Sequence, residues 1–75
     1  INANVRIGNN CIINTGVIIE HDVVVQDNCH IAPGAIINGG VIIENGSFIG
    51  SGSIIKQNTV VKKKSVVQAG VFFSK

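Results

Sequence analysis

The chain has no Met, no Trp and no Tyr, only three Phe, and only two His and two Cys. The scarcity of aromatics matters first for the one basic run, Lys62-Lys63-Lys64, because no ring interleaves with it. A surface built to stack and hold nucleic acid is therefore not expected. Two histidines fall short of the roughly three that converge on zinc in a metal-dependent hydratase, and no metal is expected. No segment has the layout of a signal peptide, and no apolar run is long enough to span a bilayer. The 45% hydrophobic fraction is spread evenly along the chain instead.

That even spread has a period of six. Positions 1, 7, 13 and so on to 73 read I-I-I-I-V-I-I-I-I-I-V-V-F. Three residues after each of the first twelve stands N-N-G-D-N-G-G-G-G-N-K-G, so eleven of twelve are Gly, Asn or Asp, the types that enter left-handed backbone conformations at least cost. The next position reads V-C-V-V-C-A-V-S-S-T-S-V, small or β-branched throughout. A helix cannot carry this period, and a hairpin protein has no reason to repeat a turn residue every six. The pattern specifies an all-β, triangular parallel β-helix in which each hexad is one short side plus one corner. Three hexads make one coil, so the chain forms one domain over 1–75 with about four coils, near 1–18, 19–36, 37–54 and 55–72. Neither end cap of a solenoid is visible, and the period starts in phase at Ile1 and stops three residues into a hexad, which suggests a domain from a longer protein.

The register makes three columns of corners. One holds residues 2–4, 20–22, 38–40, 56–58 and 74–75; a second holds 8–10, 26–28, 44–46 and 62–64; a third holds 14–16, 32–34, 50–52 and 68–70. Cys11 and Cys29 share the small inward position 18 residues apart, and a pair of core thiols in a reducing cytoplasm is preferred to a disulfide. Charge is uneven, with a net −2 over residues 1–37 and +4 over 38–75. The lysine run reads either as a solvated corner or as a patch for a phosphate-bearing ligand.

The outward strand position should be polar in an isolated solenoid, yet it reads R-I-I-V-H-I-I-F-I-V-V-F, ten apolar residues of twelve. Such a stripe marks an interface, and a closed three-fold assembly of triangular prisms would cover much of it. His30 interrupts the stripe, and His21 sits on a corner within Glu20-His21-Asp22. The two lie across the cross-section from each other and cannot cooperate within one chain. Asn14 lies on the same side as His30, so His21 of one subunit facing Asn14 and His30 of the next makes a sensible shared site. The bland reading, two incidental histidines on a non-catalytic trimerisation or scaffold module, is the rival from another class.

The stretch Ile13-Asn14-Thr15-Gly16-Val17-Ile18-Ile19-Glu20-His21-Asp22, with His30-Ile31-Ala32-Pro33-Gly34-Ala35, resembles the hexapeptide-repeat acyltransferases of bacterial nucleotide sugars and sialic acids. The nearest in kind are the UDP-4-amino-sugar N-acetyltransferases and the sialic-acid O-acetyltransferases. The resemblance implies a left-handed β-helix and a homotrimer with sites between subunits. It implies His21 as general base, Asp22 as the acidic residue that raises its basicity, His30 in contact with acetyl-CoA, and Asn14 lining the same site. It further implies that backbone amides of later coils, at Gly39, Ser51 and Gly70, meet the thioester and pantetheine arm. Relatives carry an N-terminal nucleotide-sugar-binding domain that residues 1–75 do not include.

The chemistry is coherent without the resemblance. Acyl transfer from a thioester needs a base for the acceptor's N–H or O–H and a donor for the developing oxyanion. Gly39 stacks above His21, where a missing side chain leaves room for a thioester and a bare amide. No Ser or Cys stands beside a base, and both Cys point inward, so direct attack is preferred to an acyl-enzyme. An ice-binding solenoid would show ladders of Thr, and only Thr15 and Thr59 occur. Within the enzyme class, O-acetylation of sialic acid or an antibiotic is the runner-up to N-acetylation of an amino sugar.

Overall fold

Each hexad forms a two-residue strand, and twelve of them, β1 (Arg6–Ile7) to β12 (Phe72–Phe73), follow one another at six-residue spacing. They belong to a computed structural model that describes residues 3–74; Ile1, Asn2 and Lys75 lie outside the described residues. The strands build three parallel sheets of four, in the orders β1-β4-β7-β10, β2-β5-β8-β11 and β3-β6-β9-β12. Every pairing is offset by 18 residues, as in Ile12 opposite His30 and His30 opposite Phe48. The result is the parallel β-helix of about four coils that the period specifies.

The corners explain the turn residues. All twelve residues at the fourth hexad position have positive φ, from Asn4 at 60° to Gly70 at 73°, Lys64 at 57° included. At each of the nine corners above the first coil the amide of this residue donates to the carbonyl of the residue before its counterpart in the coil below, as in Gly40 N–H to His21 O at 3.1 Å and Asn58 N–H to Gly39 O at 2.9 Å. The left-handed turn thus aims one amide along the solenoid axis and keeps adjacent coils in register.

The core is the inward face of all three sheets. Ile19, Ile37 and Ile55 form one buried stack, Ile31, Ile49 and Val67 a second, and Val25, Ile43 and Val61 a third. Each such side chain contributes about 1.5–3 kcal/mol by leaving water. The small inward position is tight for a separate reason on one side. Cys11 Sγ donates to Gln26 O at 2.9 Å, Cys29 Sγ to Glu44 O at 3.2 Å and Ser47 Oγ to Lys62 O at 2.9 Å. One bond is therefore repeated in three successive coils, and it explains why small S–H and O–H groups stand there. Both thiols are free, as preferred from the sequence. The outward position is half-exposed or exposed throughout, up to 70% at Val66. No helix among the described residues is long and apolar enough to cross a membrane.

Candidate functional site

Two residues of the Glu20-His21-Asp22 run occupy the turn between β3 (Ile18–Ile19) and β4 (Val24–Val25). Asp22 takes the left-handed position with φ 61°, which an Asp tolerates better than most residues. The adjacent side chains meet, His21 Nδ1 lying 3.0 Å from Asp22 Oδ2. An ionised carboxylate only accepts, so this bond fixes the ring proton on Nδ1 and leaves a lone pair on Nε2. The pair is well exposed, at 64% and 58% of the side-chain surface.

A cavity of about 260 Å³ opens at this corner, lined by His21, Asp22, Gly39, Gly40, Gln57 and Asn58. These are the same two turn positions in three successive coils. The room left by Gly39 differs from the expectation. A β-carbon there would lie 2.9 Å from His21 Cε1 and 3.1 Å from Nε2, so the imidazole itself fills the space that a thioester was expected to use. The bare amide is present: Gly39 N–H has no acceptor among the described residues, and neither has His21 N–H or Gln57 N–H. The contrast with the lysine-bearing corner is informative. There the equivalent amides are capped by side chains, Asn9 N–H by Asp27 Oδ1, Asp27 N–H by Asn45 Oδ1, Asn45 N–H by Gln26 Oε1 and Lys63 N–H by Glu44 Oε1, at 2.8–3.2 Å. The His21 corner alone combines uncapped donors with an imidazole and a cavity.

Asn14 and His30 come together within one chain, with Asn14 Nδ2 3.0 Å from His30 Nε2. The same nitrogen donates to Ile31 O at 3.1 Å. Phe48, one coil on, meets the His30 ring edge-on with centroids 5.0 Å apart. His30 stands on the sheet of β2, β5, β8 and β11, and His21 on the corner joining the other two sheets. The two histidines are thus on opposite sides of the prism, as their spacing implies.

Ser51 and Gly70 fall on the Asn14 corner and are exposed. Gly70 N–H is already used on Ser51 O at 2.9 Å, so it has no amide to give a ligand; Ser51 N–H has no acceptor among the described residues. Lys62, Lys63 and Lys64 are exposed, and none of them forms an ion pair among the described residues. Glu44, one coil below Lys62 in the register, uses its carboxylate on the Lys63 amide. Gln57 and Asn58 were not singled out from the sequence. Their signal was the 18-residue register from Gly39 and Gly40, which puts two carboxamides at the upper end of the cavity. Among the described residues no three His, Cys, Asp or Glu side chains converge as a metal-holding group.

Comparison with known families agrees with the repeat. Residues 4–39 match the family described as bacterial transferase hexapeptide (six repeats), and residues 40–75 match the hexapeptide repeat of succinyl-transferase. No curated protein and no solved structure matches the chain. Hexapeptide repeats of this type are typical of acyltransferases, although some members are not catalytic. With twelve hexads in register and a hexapeptide-repeat model matching each half, the chain is a hexapeptide-repeat β-helix, built on a repeat of the kind found in acyltransferases.

Proposed function

We propose that the protein transfers acetyl from acetyl-CoA to an amino or hydroxyl group of a bacterial nucleotide sugar or related sugar, in a site shared between subunits of a homotrimer. The observation that carries this reading is the His21–Asp22 bond at 3.0 Å beside the uncapped amide of Gly39. With Nδ1–H committed to Asp22, Nε2 is the nitrogen that takes a proton from the attacking amine or hydroxyl. The acceptor atom bonds to the thioester carbonyl carbon, and the Gly39 N–H receives the charge that develops on the carbonyl oxygen. The carbon–sulfur bond then breaks, and the imidazolium returns its proton to the departing thiolate. Atoms balance without a covalent enzyme intermediate, consistent with inward-pointing Cys11 and Cys29.

Asn14, His30 and Ser51 belong to the opposite side of the prism, so in this reading they come from the neighbouring subunit and meet acetyl-CoA. The outward Ile18, Ile36, Ile54 and Phe72 on one sheet, with Ile12, Phe48 and Val66 on another, supply apolar surface for that contact. The exposed, unpaired Lys62 to Lys64 suit the phosphates of the coenzyme. This reading takes the setting to be cytoplasmic, where thiols stay reduced. The deciding experiment measures release of free coenzyme A thiol with a panel of nucleotide amino sugars and sialic acids, for the native protein and for His21→Ala. Turnover that needs His21 supports the reading. No turnover with any acceptor, and no rise in thermal midpoint on adding acetyl-CoA, favours a scaffold module instead.

A further inference from the structure

We infer that Asn14 is a positioning residue that fixes the tautomer of His30, so that His30 meets its ligand as a hydrogen-bond donor through Nδ1–H and not as a base. The Asn14 carboxamide has its orientation set by the backbone. Its Nδ2 lies 3.1 Å from Ile31 O, and a carbonyl oxygen only accepts, so the atom facing Ile31 is the NH₂ group. That same NH₂ lies 3.0 Å from His30 Nε2. A second proton on the NH₂ therefore points at Nε2, which must hold a lone pair. In a neutral imidazole the other nitrogen then carries the proton.

Nδ1 of His30 has no partner among the described residues, and no buried side-chain nitrogen is left without one. The unpartnered Nδ1–H accordingly reaches the surface. Phe48 meets the ring edge-on from the next coil, with 64° between the planes, which restricts the direction in which Nδ1–H points. The two histidines thus share a tautomer for opposite reasons. His21 has Nδ1–H because Asp22 accepts from it, and offers a lone pair; His30 has Nδ1–H because Asn14 occupies Nε2, and offers a proton. The ligand atom that suits His30 is an acceptor oxygen of a carbonyl or phosphoryl group. Only this last step rests on the acyl-transfer reading, in which the oxygen belongs to the acyl donor.

The test is made on ¹⁵N-labelled protein at about pH 8, where an ordinary histidine is neutral. Two-bond proton–nitrogen correlations report which nitrogen of each ring is protonated, with no acyl donor or acceptor present. The expected result is Nδ1–H for His30 in the native protein. Asn14→Asp, which replaces the donor by an acceptor, should move the proton to Nε2, and Asn14→Ala should release the ring from the Nδ1–H form, with His21 unchanged in both. Nε2–H in native His30 overturns the inference, as does an unchanged His30 spectrum in a folded Asn14 variant. Loss of the Ile31 contact can prevent a variant from folding, and the native spectrum then decides alone. Because the readout needs no turnover, its failure is separate from a failure of acyl transfer.

Discussion

The imidazole of His21 occupies the space that a side chain at Gly39 would fill, one coil above it, with Cε1 and Nε2 both within 3.1 Å of that point. Gly39 is not in the positive-φ set, so a substitution there strains no backbone. It only pushes a flexible, exposed ring aside. Gly39→Ala should therefore change stability by less than about 0.5 kcal/mol, yet misplace the base by enough to lower kcat, by up to about 10²-fold. A melting curve and a turnover assay on the same sample check both halves. An unaltered kcat would mean that the His21 position is irrelevant to rate.

Lys64 is the one residue outside Gly, Asn and Asp among the twelve left-handed corner positions, with φ 57°. Its side chain carries the conformational penalty without an evident return in stability, since it forms no ion pair among the described residues. Lys64→Asn should raise stability by up to about 1 kcal/mol. Chemical denaturation of the two proteins measures the difference. A lower midpoint for the variant would show that the lysine has a packing role at that corner.

Burial pushes the Cys29 thiol above its ordinary value of 9.0, with the nearby Cys11 adding to the rise and backbone hydrogen bonds from Ser47 and Gly46 opposing it. The folded protein therefore holds this proton more tightly than the unfolded chain. The contribution is fully present below about pH 9, where both states are protonated, and is lost as pH rises through the folded value. Cys29→Ser keeps a donor for Glu44 O, as Ser47 does for Lys62 O, and removes the titration. Urea midpoints of the two proteins should run parallel below about pH 8, with the native one falling faster above pH 9. Parallel curves throughout would contradict the expectation.

Much of this fold is legible because each local requirement recurs twelve times. The corner residues, the inward Ile and Val positions and the outward apolar stripe all hold in the structure, since an 18-residue register leaves each position one environment. The site is legible only where it follows that register. Asn14 beside His30, and His21 opposite them, are matters of spacing. What spacing cannot give is how side chains and amides are already used. The filled space at Gly39, the spent amide of Gly70 and the Glu44 carboxylate on the Lys63 amide depend on rotamers and turn geometry. Gln57 and Asn58 were within reach of the register but carry no chemistry that draws notice in a sequence.

The outward apolar stripe makes assembly testable. Ile36 and Ile54 are adjacent on one sheet and half-exposed in the single chain. Ile54→Lys puts a charge on a surface that the trimer would desolvate, and an unpaired buried charge is strongly unfavourable. Sedimentation at micromolar concentration should find trimer for the native protein and smaller species for the variant. A native protein that sediments as a monomer would sink the shared-site reading as well.

A site shared between subunits, as proposed, has a consequence that no single-chain site has. His21 and Asp22 lie on one corner, and Asn14 and His30 lie on the far side of the same prism; on the proposed reading each complete site takes its halves from two subunits. His21→Ala removes the base and should lower kcat by about 10²–10⁴-fold, with the trimer and acetyl-CoA binding retained. His30→Ala removes the donor on the opposite side and should raise the KM for acetyl-CoA. When the two variants are unfolded together and refolded as mixed trimers, some interfaces pair an intact His21 corner with an intact Asn14–His30 side. Those interfaces are native, and activity should exceed that of either variant alone. Restoration that depends on co-refolding, and is absent when the two preformed trimers are simply mixed, identifies the interface as the site. Absence of any recovery after co-refolding would confine the site to one chain, where these residues cannot meet.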